Sequence, residues 1–216
     1  MTGAKRILSE IRLMPAPFGV ILTPMTQGAD PERAEARFHL FDTAIGPCGL
    51  AWNSAGLIQV QLPEASEAAT EARLGRIASA SWSEALPKQI SDCETRIHAY
   101  FDGEEIEFAD ITLDLGSANE FTTRVYTELR KVGWGQTTSY GALAKNLGKP
   151  NAARAIGAAM GKNPWPLIVP CHRVLAASGK IGGFSAYGGR ATKRHMLQLE
   201  RADADGAAPM LPGLSD

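Results

Sequence analysis

Pro166-Leu167-Ile168-Val169-Pro170-Cys171-His172-Arg173-Val174 decides the fold and the chemistry of this chain. The apolar run from Pro166 to Val169 has the character of a buried segment, and Pro170 fixes the backbone just before a cysteine. Cysteine becomes a strong nucleophile only when deprotonated. A neighbouring histidine can assist, directly or through a water, if a third group orients its ring. The run therefore delivers a candidate reactive thiol, Cys171, to the floor of a cleft, with His172 beside it. The dipeptide alone does not establish catalysis, because a free cysteine is most often a small inert core residue.

Two short helical segments precede the run. Ser139-Tyr140-Gly141-Ala142-Leu143-Ala144-Lys145-Asn146-Leu147-Gly148 and Ala152-Ala153-Arg154-Ala155-Ile156-Gly157-Ala158-Ala159-Met160-Gly161 are joined by Lys149-Pro150-Asn151, the pattern of a helix-turn-helix. The second offers Ala or Gly on nearly every face around one arginine, Arg154. Such a helix can approach another surface closely, although a tightly packed interior helix has the same composition. A guanidinium among small residues must reach solvent, an acid or a phosphate, which favours the first of these. Upstream, Phe121, Val125, Leu129 and Val132 recur at helical spacing, after a linker-like stretch over residues 114–119.

The first half has a different pattern. Residues 38–41, 49–52 and 57–62 are strand-like, with turns around Gly46-Pro47 and Asn53-Ser54-Ala55-Gly56, which predicts a small antiparallel sheet. Residues 66–80 and 91–101 have helical spacing, with Leu74, Ile77 and Ala78, then Ile97, Tyr100 and Phe101, on their apolar faces. Residues 1–36 carry four prolines and no periodicity, and residues 201–216 have the composition of a flexible tail. The expected class is α+β, divided into an irregular extension (1–36), an N-terminal domain (37–115), a C-terminal domain (116–200) and the tail.

At 216 residues and 44% hydrophobic content the composition is that of an ordinary soluble globular protein. Cys48, Cys93 and Cys171 are odd in number and widely spread, which suggests neither a disulfide framework nor a thiolate zinc site and points to a reducing, cytoplasmic setting. The first ten residues are too polar for a signal peptide, and no apolar run approaches the roughly 18 residues of a membrane span. His39 and His98 lack metal-ligand spacing, so no metal and no cofactor is expected. The net charge of −1 hides a division: residues 1–115 hold 9 Lys/Arg against 17 Asp/Glu, and residues 116–216 hold 13 against 6. Either the basic half meets an anionic partner, or the two halves attract each other.

Several motifs in order, Ser139-Tyr140, Ala152-Ala153-Arg154-Ala155-Ile156-Gly157, Lys162-Asn163-Pro164, the Cys171 run, Gly182-Gly183-Phe184-Ser185 and a helix from Lys193 to Glu200, cover about 80 residues. This stretch resembles the O6-alkylguanine-DNA alkyltransferase family, also called methylated-DNA–protein-cysteine methyltransferases. The resemblance implies a ribonuclease-H-like N-terminal domain and a mostly helical, winged-helix-like C-terminal domain carrying the DNA-binding helix-turn-helix. It implies that a monomer binds double-stranded DNA containing O6-alkylguanine and flips the damaged base into a pocket, which a thiol must reach from outside the stack. Cys171 would accept the alkyl group once, His172 would take the thiol proton through a water, and Glu200 would hold the imidazole. Tyr140 would reach the base N3. Arg154 would fill the vacated place in the stack, with Ala152, Ala153, Ala155 and Gly157 in the minor groove, whose degenerate pattern suits a repair protein. Asn163 would link the recognition helix to the active-site strand, Pro170 would set the cysteine, Val174 would offer a carbonyl to the base, and Phe184 and Ser185 would wall the pocket, Ser185 donating to O6.

One departure is visible. Where many relatives have Gly-Tyr-Ser or Gly-Tyr-Ala directly before Gly-Gly, this chain reads Gly183-Phe184-Ser185-Ala186-Tyr187-Gly188-Gly189, two residues longer. Counting from Cys171 selects Phe184 and Ser185; counting back from Gly189 selects Ala186 and Tyr187. The alternative function is a non-catalytic, alkyltransferase-like damage sensor, but such proteins replace the cysteine. A transcription factor needs polar side chains where Ala152-Ala153 stand, and a cysteine hydrolase needs an oxyanion hole and a histidine distant in sequence.

Overall fold

Strands β1 (Arg37–Thr43), β2 (Gly46–Asn53) and β3 (Gly56–Gln61) form an antiparallel meander, as the alternation of apolar residues leads one to expect. The computed structural model describes residues 36–78, 80–81, 85–116, 118–176 and 179–202, so the expectations for residues 1–35 and 203–216 lie outside the described residues. The first turn falls at residues 44–45, not at Gly46-Pro47: Thr43 pairs with Gly46 and Asp42 with Pro47. Gly46 leaves the turn at φ 113°, a conformation that favours glycine, and the reversal lies two residues earlier than the Gly-Pro pair suggests. A fourth strand, β4 (Ala80–Ser81), adds parallel to β1, so the sheet order is β3-β2-β1-β4 and the sheet is not purely antiparallel.

Helices cover both faces of the sheet. Helix α1 (Glu67–Leu74) starts at Ser66, whose side chain accepts from the Ala69 amide, and packs Leu74 with Phe38 and Ala51 on one face. Gly49 of β2 is required there, since a β-carbon would collide with Leu74 Cδ1. The helix stops at Gly75, well short of residue 80, and Ile77, expected on its apolar face, is 38% exposed. Helix α2 (Lys88–Phe101) covers the other face. It starts earlier than expected, after Pro87, and buries Ile90, Cys93, Ile97, Tyr100 and Phe101, one stripe at helical spacing.

In the second half, α3 (Glu120–Leu129) is capped by Asn119 and buries Val125, Tyr126 and Leu129. Ser139 ends β5 (Thr138–Ser139) and caps α4 (Tyr140–Asn146). Helix α5 (Ala153–Gly161) buries Ile156, Ala159 and Met160, and the Tyr126 hydroxyl donates to the Ala159 carbonyl at 3.0 Å. Strand β6 (Val174–Leu175) pairs parallel with β5, and α6 (Arg190–Leu199) begins three residues before Lys193 and ends just before Glu200.

One hydrophobic cluster runs through both halves, from Leu50 and Tyr100 to Val125, Ile156, Val169 and Met196. Hydrogen bonds stitch them together: the Val60 amide donates to the Pro164 carbonyl at 2.9 Å, and the Trp165 side chain donates from Nε1 to the Leu57 carbonyl at 2.8 Å. The linker-like stretch is itself pinned where it begins, the Asp114 amide donating to the Leu57 carbonyl at 2.9 Å. The segment around residue 165 is therefore held against β3 by one backbone and one side-chain hydrogen bond.

Candidate active site

Residues 166–170 are buried, as expected of the apolar run, but the active-site strand that the resemblance implies does not form there. Pro166 and Pro170 have no N–H to give to a ladder, Leu167 takes φ 74°, and the Val169 amide turns back to the Trp165 carbonyl at 2.8 Å. Residues Cys171–Arg173 then make one turn of 3-10 helix, with the Arg173 amide bonded to the Pro170 carbonyl at 2.9 Å. Every side chain from Trp165 to Leu175 is buried. The apolar run thus anchors a tight turn that presents the cysteine.

Cys171 is 7% exposed. Asn163, two residues past the end of α5, donates from Nδ2 to the Val169 carbonyl at 2.8 Å and to Cys171 Sγ at 3.2 Å, and its Oδ1 accepts from the Trp165 amide at 3.0 Å. One amide side chain therefore ties the helix end, the turn and the thiol together. Burial pushes the Cys171 thiol up, while the Asn163 hydrogen bond and the Lys193 charge pull it back.

His172 is fully buried, and its Nε2 lies 2.6 Å from Glu200 Oε1. Arg173 clasps the same carboxylate, Nε to Oε2 at 2.8 Å and Nη2 to Oε1 at 3.0 Å, and the Tyr100 hydroxyl donates to Oε1 at 2.8 Å. Burial would raise the Glu200 carboxyl, yet hydrogen bonds and charge from His172 and Arg173 outweigh it and hold it at about 2. Arg173 carries a permanent charge, so Glu200 stays ionised whether or not His172 is protonated. Burial lowers His172, with Arg173 and Lys193 adding to that effect and Glu200 opposing it. The arrangement is a neutral imidazole giving its Nε2 hydrogen to a carboxylate. His172 Nδ1 is buried with no protein partner, so a lone pair is available to take a proton.

Two cavities meet at Cys171. One, of about 320 Å³, is lined by Tyr140, Gly157, Met160, Gly183, Phe184 and Ser185. The other, of about 160 Å³, is walled by Pro166, Phe184 and Ala186 on one side and by Gln59, Gln61 and Arg73 of the first half on the other. Phe184 and Ser185 border both cavities and Ala186 borders the smaller one, whereas Tyr187 is 55% exposed and borders neither, so of the two extra residues only Tyr187 bulges outward. Arg154, Ala155 and Ala158 are exposed on α5, beyond the wall formed by Gly157, and Ala152 and Ala153 are half-buried at its start.

The structure brings together Cys171, His172, Glu200, Asn163 and Pro170 in one buried cluster, with Tyr140, Gly157, Phe184 and Ser185 around the larger cavity. The Val174 carbonyl accepts a hydrogen bond from Lys193 Nζ at 2.6 Å. Three participants escape the sequence reading: Tyr100, Arg173 and Lys193. Lys193 had a signal, since it stands on the buried stripe of α6 with Met196 and Leu197, where an unpaired lysine is not tolerated. Among the described residues, no group of three or more His, Cys, Asp or Glu side chains could hold a metal ion, and no helix is long and apolar enough to cross a membrane.

Residues 120–202 match the family model described as the DNA-binding domain of 6-O-methylguanine DNA methyltransferase. A Mycobacterium bovis methylated-DNA–protein-cysteine methyltransferase is 38% identical over 167 residues, which cover 77% of this chain and 93% of that one. The crystal structure of the Mycobacterium tuberculosis O6-methylguanine methyltransferase superposes with a TM-score of 0.62 at 38% identity, over 79% of this chain and 96% of that one. A structure of the M. tuberculosis protein in complex with DNA gives 0.60 at 36% identity, over 81% and 96%. With a cysteine, an adjacent buried histidine and a distant carboxylate joined in one cluster on a shared fold, the chain belongs to the methylated-DNA–protein-cysteine methyltransferase family.

Proposed function

We propose that this protein repairs DNA by direct reversal, moving the alkyl group of O6-alkylguanine onto Cys171 and remaining alkylated. The observation that carries this reading is the buried His172–Glu200 pair at 2.6 Å, placed directly behind a thiol that opens onto a cavity. His172 Nδ1 takes the Cys171 proton, through a water, and the thiolate attacks the alkyl carbon in line. The S–C bond forms as the C–O6 bond breaks, the electron pair leaves with guanine, and Tyr140 returns a proton at N3. Glu200 stabilises the imidazolium that forms, as the third member of a nucleophile–base–orienter set.

A cavity of about 320 Å³ admits a base only when that base has left the stack. We assign α4 and α5 as the helix-turn-helix, with the small residues of α5 lying in the minor groove and exposed Arg154 filling the gap left by the flipped nucleotide. Residues 116–200 carry this chemistry and residues 37–115 support it from behind. The protein acts as a monomer, and its three free cysteines suit a reducing cytoplasm. The test is titration with a duplex carrying one radiolabelled O6-methylguanine. One label per molecule on Cys171 is the expected result; binding without label means a damage sensor, and turnover beyond one methyl ends the single-use mechanism.

A further inference from the structure

We propose that Tyr100 is a positioning residue for the Glu200–His172 pair, supplied to the active site from helix α2 of the N-terminal half. The proposal deepens the reading of His172 as the base for Cys171 and rests on it. Tyr100 is fully buried, its hydroxyl donates to Glu200 Oε1 at 2.8 Å, and it lies 3.4 Å from His172 Nε2. Its ring is held edge-on by Phe101 and Trp134, with centroids 5.1 and 5.3 Å away. If packing were the whole role, phenylalanine would fill the same space without burying a hydroxyl, which is unfavourable unless that hydroxyl is bonded. Here the hydroxyl has one strong partner, and that partner is the carboxylate behind the base.

Glu200 is the C-cap residue of α6, so no further helical turn restrains its side chain. Arg173 approaches it from the 3-10 turn and Tyr100 from α2, which pins the carboxylate from two elements. Oε1 receives three donors, from Tyr100, His172 and Arg173. Each donor spreads the oxygen's charge and weakens its pull on the other hydrogens. The charged or titratable groups acting on His172 are Glu200, Arg173 and Lys193, with Cys171 adjacent, and among these Glu200 alone favours the imidazolium. By donating to Glu200, Tyr100 keeps that pull moderate. His172 then remains neutral, holds its hydrogen on Nε2 and keeps Nδ1 free.

Tyr100→Phe in the full chain tests this, with His172 followed by ¹⁵N NMR and alkyl transfer followed against pH. The expected result is an upward move of about half a pH unit in both the His172 titration and the acid limb of the rate profile, with a loss of less than about twofold at neutral pH that grows to about threefold on the acid limb. Site-specific 3-fluorotyrosine at position 100 keeps the shape and makes a stronger donor, so both midpoints move down; this variant decides the matter if Tyr100→Phe does not fold. Phe108→Leu loosens the same aromatic cluster, whose centroid lies 6.3 Å from that of Tyr100, and leaves both midpoints in place. A Tyr100→Phe protein that is merely less heat-stable, with His172 unmoved, overturns the proposal. If no form transfers an alkyl group, the proposed function fails, while the NMR titration still judges Tyr100 by itself.

Discussion

Cys93 and Cys171 are both buried thiols in one continuous core, yet their surroundings differ in kind. Cys93 sits in the apolar stripe of α2, and burial pushes it up to about 12; Cys48 in β2, relieved only by the Thr43 hydroxyl, is driven equally high. Burial also raises Cys171, but the Asn163 amide, the Lys193 ammonium and nearby backbone amides counter it, and a neutral imidazole stands next in the chain. Burial alone makes an inert cysteine. What sets apart Cys171, the proposed nucleophile, is polar support delivered from α6 and from the residues just past α5, which no dipeptide encodes.

The comparison can be broken in several ways. Cys171→Ala should abolish label transfer while the protein still binds the alkylated duplex, as measured by gel shift. Glu200→Gln keeps the volume but leaves Arg173 as a buried cation with weakened partners. Transfer should fall about 100-fold, and urea unfolding should show a loss of about 3 kcal/mol or more. Arg154→Ala, at an exposed position, should weaken transfer about tenfold at limiting DNA and lower the salt dependence, with the melting temperature unchanged.

Acid should act on the same cluster. Glu200 is held at about 2 against an ordinary 4.5, so its contribution to stability is complete above the ordinary value and is lost as pH falls toward 2. His172 is lowered from 6.5, so below that value the unfolded chain takes up its proton first and stability begins to decline. Urea midpoints should therefore descend from about pH 7 to about pH 3, and a flat profile would contradict the charge assignment. The smallest effect belongs to Cys48→Ala and Cys93→Ala, each expected to leave transfer within about twofold while lowering stability by roughly 1 kcal/mol. A larger loss of transfer would erase the distinction between the two kinds of thiol.

Much of the fold was legible because local patterns and tertiary burial agree. The meander, the apolar stripe of α2, and α4 and α5 lie where hydrophobic spacing puts them. The pattern misled where backbone chemistry overrode it, since Gly75 ended α1 before Ile77; the apolar run at 166–169 is buried as read, but two prolines and the positive φ of Leu167 keep it from being the strand that the resemblance implies. At the candidate site, Cys171, His172, Asn163 and Glu200 stand in the motifs that carry the family resemblance, and the structure brings them together. Tyr100 could not be, because its place beside Ile97 and Phe101 is that of any core tyrosine, and its hydroxyl's partner is 100 residues away. The short strand β4 is too brief to leave a periodicity.

The separation between Tyr100 and Glu200 has a further consequence, for the order of events during synthesis. A chain made from its N-terminus exposes Cys171 before Glu200 exists, and the contacts spanning 28 and 100 residues close only when α6 docks. Until then His172 lacks the carboxylate that orients its ring, and Cys171 lacks the charge of Lys193. The proposed nucleophile–base–orienter set is thus completed only at the last stage of folding, and a copy cut short before Glu200 lacks it.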